Sequence, residues 1–124
     1  APSNGKSVPR GHGERVLVVE DEEGAREGMA DILDLIGYAV TAVASGEEAR
    51  ALPDEPAPDL LLTDLVLPGI GGAELAELLR QRWPAMRVVL MSGYTTNAFS
   101  AVPSAILMST HSPWRVVSLS AWAT

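Results

Sequence analysis

Acidic or hydroxyl residues follow three short apolar segments of this 124-residue chain. In chain order, residues 16–19 precede Glu20, Asp21, Glu22 and Glu23, residues 60–63 precede Asp64, and residues 88–91 precede Ser92. Carboxylates gathered at one point repel each other unless they are protonated or paired with a cation. Mg2+ prefers oxygen ligands and uses one or two carboxylates together with phosphate oxygens. A carboxylate beside such an ion can also serve as a nucleophile.

The elements between these positions alternate between strands and helices. The apolar segments, and residues 38–43, are typical of short strands of a parallel sheet. Apolar residues at helical spacing predict helices over 24–36 (Ala25, Met29, Ile32, Leu33, Ile36), ended by Gly37, and over 74–82. Ser45 and Glu48 form a capping box that opens a short helix. The order β-α-β-α-β-α-β predicts an open parallel α/β sheet with its chemistry at the carboxyl ends of the strands.

If the first, third and fourth strands are neighbours, Glu20, Asp21, Asp64 and Ser92 converge on one crevice. Each position alone also has an ordinary explanation. The acidic run is a common helix start, which the helix dipole favours. Asp64 before Pro68, and Ser92 before a glycine, are also common in turns. Their occurrence after three separate apolar segments favours a shared site.

Composition bounds the class of protein. The length suits one domain, and the absence of cysteine excludes disulfides and thiolate metal sites. The net charge of −7 and the lack of a basic stripe predict no nucleic-acid partner. The sequence has no apolar run long enough to cross a bilayer, so we expect a cytoplasmic protein without direct membrane contact.

Three motifs together resemble the response-regulator receiver domain. They are residues 18–22 (VVEDE), residues 63–69 (TDLVLPG) with Gly72, and residues 91–94 (MSGY). The resemblance covers residues 14–95 and is closest to receivers at the C-terminus of hybrid sensor histidine kinases. It implies a flavodoxin-like (CheY-like) α/β fold, an open parallel sheet with helices on both faces.

The resemblance also implies roles for these residues. Asp64 would accept a phosphoryl group from a histidine kinase or a phosphotransfer domain. Mg2+ would be held by Glu20, Asp21, Asp64 and the backbone carbonyl of Val66. Ser92 would donate a hydrogen bond to a phosphoryl oxygen, and Gly72 would occupy a turn where a side chain is unwelcome.

The C-terminal part departs from the family pattern. A receiver continues with a fifth strand that ends in lysine and proline, and then a last helix. Here the only lysine is Lys6, and Arg115 is the only formal charge from residue 96 onward. We therefore expect the usual last strand and helix to be missing or replaced. The predicted organisation is a flexible linker over 1–13, a receiver core over 14–95 and an atypical tail over 96–124.

The tail leaves several outcomes open. Residues 105–108 or 114–119 could supply a substitute edge strand. Otherwise the exposed edge of the fourth strand would favour a homodimer or a domain swap through the C-terminal region. The missing lysine also favours an alternative function, a receiver fold that binds other proteins without being phosphorylated. A Mg2+ phosphohydrolase of another α/β type would need a second acid near Asp64, where Val66 stands.

Overall fold

A computed structural model of the chain describes residues 11–92 and 114–118, with side chains for residues 11–91. The described elements alternate as the sequence predicts, and the six helices and strands that had predicted bounds each lie within two residues of them. They are β1 Arg15–Val19, α1 Glu23–Leu35, β2 Ala39–Val43, α2 Gly46–Arg50, β3 Leu60–Asp64, α3 Gly72–Arg82, β4 Arg87–Ser92 and β5 Trp114–Ser118.

The strands form one parallel sheet in the order β2-β1-β3-β4-β5. The first and third strands are therefore neighbours, and so are the third and fourth, as the convergence of the acidic residues requires. In the register, Val19 lies beside Thr63, and Asp64 lies beside Met91. Because all the strands are parallel, their carboxyl ends lie at the same edge of the sheet.

The main core lies between the sheet and the helices α2 and α3. It buries residues of β1, β3 and β4 against the apolar face of α3, chiefly Leu17, Val19, Leu61, Val88, Leu90, Leu75, Ala76 and Leu79. Burial of each such leucine contributes about 1.5–3 kcal/mol. This core fixes the positions of β1, β3 and β4, and therefore of the residues at their ends.

Helix α1 is less buried than its sequence predicts. None of its residues is fully buried, and Ile32, expected on the core face, is 61% exposed. Met29 and Leu33 are half-buried. The helical wheel explains the difference, because Ala25 and Ile32 lie about 80–100° around the helix from Leu33. The apolar residues of α1 therefore form a stripe wider than the face that contacts the sheet.

The turn after α1 joins the beginning of the described chain. Gly37 has φ of 103°, a left-handed conformation that ends the helix as predicted. Gly11 and Gly13 donate backbone hydrogen bonds to the carbonyls of Ile36 (2.7 Å) and Gly37 (2.9 Å). Residues 11 and 13, within the predicted linker, thus contact the turn after α1. Residues 1–10 lie outside the described part of the chain.

One of the two edge strands that the sequence left open in the tail is present. Trp114–Ser118 pairs in parallel with β4 and forms the edge of the sheet, so β4 is not an exposed edge there. The alternative strand over 105–108 and the final helix fall outside the described residues. Self-association through the C-terminal region stays a prediction. Across the described ranges, every helix is too short or too polar to cross a bilayer.

Candidate functional site

Three of the predicted site residues meet at the carboxyl edge of the sheet. Glu20 and Asp21 follow β1, and Asp64 is the last residue of the neighbouring β3. One carboxylate oxygen from each residue lies within 4.8 Å of the others. Glu20 is buried, Asp64 is half-buried and Asp21 is exposed. The cluster therefore has one side in the protein and one side open to solvent.

Backbone hydrogen bonds hold the Asp64 segment in place. The Val66 N–H donates to Asp64 Oδ1 (3.1 Å), and the Leu65 N–H donates to the Met91 carbonyl (2.8 Å). Val66 itself is 62% exposed, two residues beyond Asp64. Ser92 is the last residue of β4, so its backbone lies at the same edge of the sheet, and its side chain is outside the described set.

The loop between β1 and α1 is organised by two glutamates. The Glu22 carboxylate caps α1 by accepting hydrogen bonds from the N–H groups of Gly24 (3.0 Å) and Ala25 (2.6 Å). The Glu22 N–H in turn donates to Glu20 Oε2 (2.9 Å). Sequence reasoning missed this cap because glutamate is not among the residues that usually cap helices. Its only signal was an acid immediately before the helix.

Crowding and burial raise the pKa values of two carboxyls. Burial raises the pKa of Glu20 to about 7, and the nearby charges of Asp64 and Asp21 add to the shift, against a hydrogen bond from the Glu22 N–H. Burial also raises the pKa of Asp64, assisted by the charge of Asp21 and opposed by the Val66 N–H. At neutral pH the cation-free cluster thus retains part of a proton.

The raised pKa values predict that the cation-free protein loses stability as pH rises. Between about pH 4.5 and pH 7 the unfolded chain has released the Glu20 proton while the folded chain still holds it, so the free energy of unfolding falls. We expect Glu20 to account for a loss of about 1–2 kcal/mol between pH 5 and pH 8, and Asp64 changes the stability in the same direction. Urea unfolding in EDTA across this range measures it.

Glu20→Gln is the matched variant, because its amide still accepts the Glu22 N–H and has no proton to lose. The variant should be more stable than the wild type at pH 8 and nearly equal to it at pH 5. If the free energy of unfolding fell with pH equally in the two proteins, the pH dependence could not come from Glu20.

The cluster fits a small divalent cation. Among residues 11–91 the one ion pair joins Arg82 to Asp54 (2.7 Å), in another part of the protein, so no described basic side chain forms an ion pair with the three carboxylates. Carboxylate oxygens are the ligands that hard cations such as Mg2+ prefer, and the exposed Asp21 gives access from solvent. Glu20, Asp21 and Asp64 are therefore the residues that could hold such an ion.

Comparison with known sequences gives a consistent result. Residues 16–105 match the response regulator receiver domain family. The response regulator protein FleR of Pseudomonas aeruginosa is 39% identical over 80 residues, 64% of this chain and 17% of FleR. The sensor kinase CckA of Brucella abortus is 37% identical over 87 residues, 68% of this chain and 9% of CckA. This chain thus matches a small part of each of these longer proteins.

Solved structures agree with the fold. A response regulator receiver domain protein from Clostridium thermocellum superposes with a TM-score of 0.69 at 20% identity, covering 85% of this chain and 81% of that one. The response regulator TrrA of Thermotoga maritima, solved in complex with Mg2+-BeF, has a TM-score of 0.63 at 28% identity. That match covers 84% of this chain and 85% of TrrA.

Proposed function

This chain belongs to the response regulator receiver domain family, and from that premise we propose that Asp64 accepts a phosphoryl group in a Mg2+-dependent step of a two-component phosphorelay. The donor is the phosphohistidine of a histidine kinase or a phosphotransfer domain. The observation that carries the proposal is the meeting of Glu20, Asp21 and Asp64 oxygens within 4.8 Å at the carboxyl edge of the sheet. The similarity to TrrA, solved with Mg2+-BeF, supports it.

The proposed step uses Asp64 as the nucleophile. One carboxylate oxygen of Asp64 attacks phosphorus, the bond from phosphorus to the donor imidazole nitrogen breaks, and its electron pair stays on that nitrogen. The Val66 N–H holds the other carboxylate oxygen and so orients the attacking one. Glu20, Asp21, Asp64 and the Val66 carbonyl would hold Mg2+, which supplies positive charge to the phosphoryl oxygens when bound. The Ser92 hydroxyl would donate to one of those oxygens.

The test is phosphoryl transfer to the full chain from a small donor. We expect acetyl phosphate with Mg2+ to add one phosphoryl group, detected by intact mass spectrometry and located to the peptide that contains Asp64. EDTA should prevent the addition, since three uncompensated carboxylates repel an anionic donor. Labelling at another residue, or equal labelling in EDTA, would contradict the proposal.

A second function rests on one observation in the sequence. The receiver family places a lysine at the end of its fifth strand, whereas the only lysine here is Lys6. The segment that forms β5, Trp114–Ser118, contains Arg115 as its only charged residue. A receiver without that lysine could bind partner proteins without being phosphorylated. The acetyl phosphate experiment separates the two functions, since this one requires that the folded chain stay unlabelled.

A further inference from the structure

Arg26 contacts the acidic loop in an unexpected way. It is the only basic residue of α1, and it lies one turn into a helix that carries Glu23 and Glu27. Its guanidinium nonetheless contacts backbone rather than carboxylate. Nη1 donates to the carbonyl of Glu20 (2.9 Å) and lies 3.5 Å from the carbonyl of Asp21. Ion pairs within residues 11–91 do not include it.

These contacts fix the loop from the side of the helix. The Arg26 N–H donates to the Glu22 carbonyl (2.9 Å), the regular helical bond that any residue at this position makes. The side chain of Arg26 adds the bond to the Glu20 carbonyl, with the Asp21 carbonyl at the edge of its reach. The loop has two further supports. The Glu20 N–H donates to the Val43 carbonyl of β2 (3.1 Å), and the Glu22 N–H donates to Glu20 Oε2 (2.9 Å). That second support uses a carboxylate oxygen of the cluster itself. The contact from Arg26 uses none.

We propose that Arg26 is a positioning residue for the acidic cluster, holding the backbone of Glu20 and Asp21 so that their carboxylates stay oriented toward a divalent cation. The inference rests on the proposed function, because it assumes that the cluster binds Mg2+. Partners that orient metal ligands typically contribute about 10–100-fold to metal affinity. Arg26 acts here through the ligands' backbone, and we expect the lower end of that range.

The sign of the effect separates positioning from simple electrostatics. Arg26 is a cation near the site, so removing its charge should strengthen Mg2+ binding if charge alone matters. If positioning matters, removing it should weaken binding. Lysine keeps the charge but lacks the planar guanidinium that reaches both carbonyls. Positioning therefore predicts weaker binding in both Arg26→Gln and Arg26→Lys.

The experiment is calorimetric titration of the full chain with Mg2+ alone, well below the unfolding temperature. We expect the dissociation constant to rise about 10-fold in Arg26→Gln and about 3-fold or more in Arg26→Lys. Glu27→Gln, one residue away on the exposed side of α1, should change it less than 2-fold. Leu33→Ala controls for stability, because it destabilises α1 at its far end and should leave the dissociation constant unchanged.

Two results with the Arg26 variants would each overturn the inference on its own. One is tighter Mg2+ binding in Arg26→Gln, and the other is wild-type affinity in both Arg26 variants. A Leu33→Ala effect as large as that of Arg26→Gln would also overturn it, since general loosening of α1 would then suffice. If the wild-type chain did not bind Mg2+, the inference about Arg26 and the metal part of the proposed function would both fail.

Discussion

Asp64→Asn should abolish phosphoryl transfer to the chain while leaving the fold intact. The amide oxygen can still accept the Val66 N–H, now 3.1 Å from Asp64 Oδ1, so the loop should keep its geometry. The amide is not a nucleophile toward phosphorus under these conditions, so no acyl phosphate forms. We expect labelling by acetyl phosphate to fall at least about 100-fold, to the detection limit of intact mass spectrometry.

The same variant should be more stable than the wild type when no cation is present. Asp64→Asn removes one of three clustered negative charges, and burial disfavours the charge on this carboxyl. We expect a gain on the order of 1 kcal/mol at pH 8, measured by urea unfolding in EDTA. Added Mg2+ should stabilise the variant less than the wild type. Lost labelling combined with raised stability cannot be explained by unfolding.

Asp31→Asn is the matched control, because it makes the same chemical change on the exposed surface of α1. It should retain labelling and respond to Mg2+ like the wild type. Persistent labelling of Asp64→Asn at another carboxylate, with the kinetics of the wild type, would show that Asp64 is not the acceptor.

The sequence was sufficient to predict the strands and the convergence of the acids. Apolar runs flanked by turns identify β1, β3 and β4, and parallel topology places the ends of neighbouring strands together. Glu20, Asp21 and Asp64 could therefore be assigned to one site before any distance was known. The assignment depended on strand order, since nothing in the local sequence states that β1 and β3 are adjacent.

The contacts within the site could not be predicted in the same way. The Glu22 cap and the reach of Arg26 to the Glu20 carbonyl depend on side-chain rotamers and on the angle at which α1 leaves β1. A charge pattern would have paired Arg26 with a neighbouring glutamate. The exposure of Ile32 was missed for a related reason, because helical spacing gives a stripe of apolar residues but not the width of the face that packs.

The sequence predicts that a side chain is unwelcome at Gly72, but it does not identify the atoms that exclude one. Gly72 was expected in a turn, but it is the first residue of α3. A Cβ built on it would overlap the Asp64 carbonyl oxygen and lie 3.0 Å from the Asp64 carbonyl carbon. The Gly72 N–H also donates to the Leu65 carbonyl (3.0 Å). The start of α3 thus packs directly against the backbone of the proposed acceptor residue.

Gly72→Ala should therefore destabilise the protein and disturb the site together. The clash involves backbone atoms at the end of β3, which are held by neighbouring strands and cannot move aside freely. We expect the free energy of unfolding to fall by about 3 kcal/mol, a severe case of overpacking. In the molecules that remain folded, displacement of Asp64 should lower the rate of labelling by acetyl phosphate about 10-fold or more.

Two other glycines provide controls that separate the clash from the general effect of alanine. At Gly71 a Cβ would lie 3.8 Å from the Leu65 carbonyl oxygen, an ordinary contact, and at Gly28 it would meet nothing within 4 Å. Gly71→Ala should cost only a few tenths of a kcal/mol as a weaker helix cap. Gly28→Ala, inside α1, should stabilise by about 0.5–1 kcal/mol. If Gly72→Ala changed the free energy of unfolding no more than either control does, the end of β3 would be free to shift. Asp64 would then not be held as rigidly as the proposed chemistry requires.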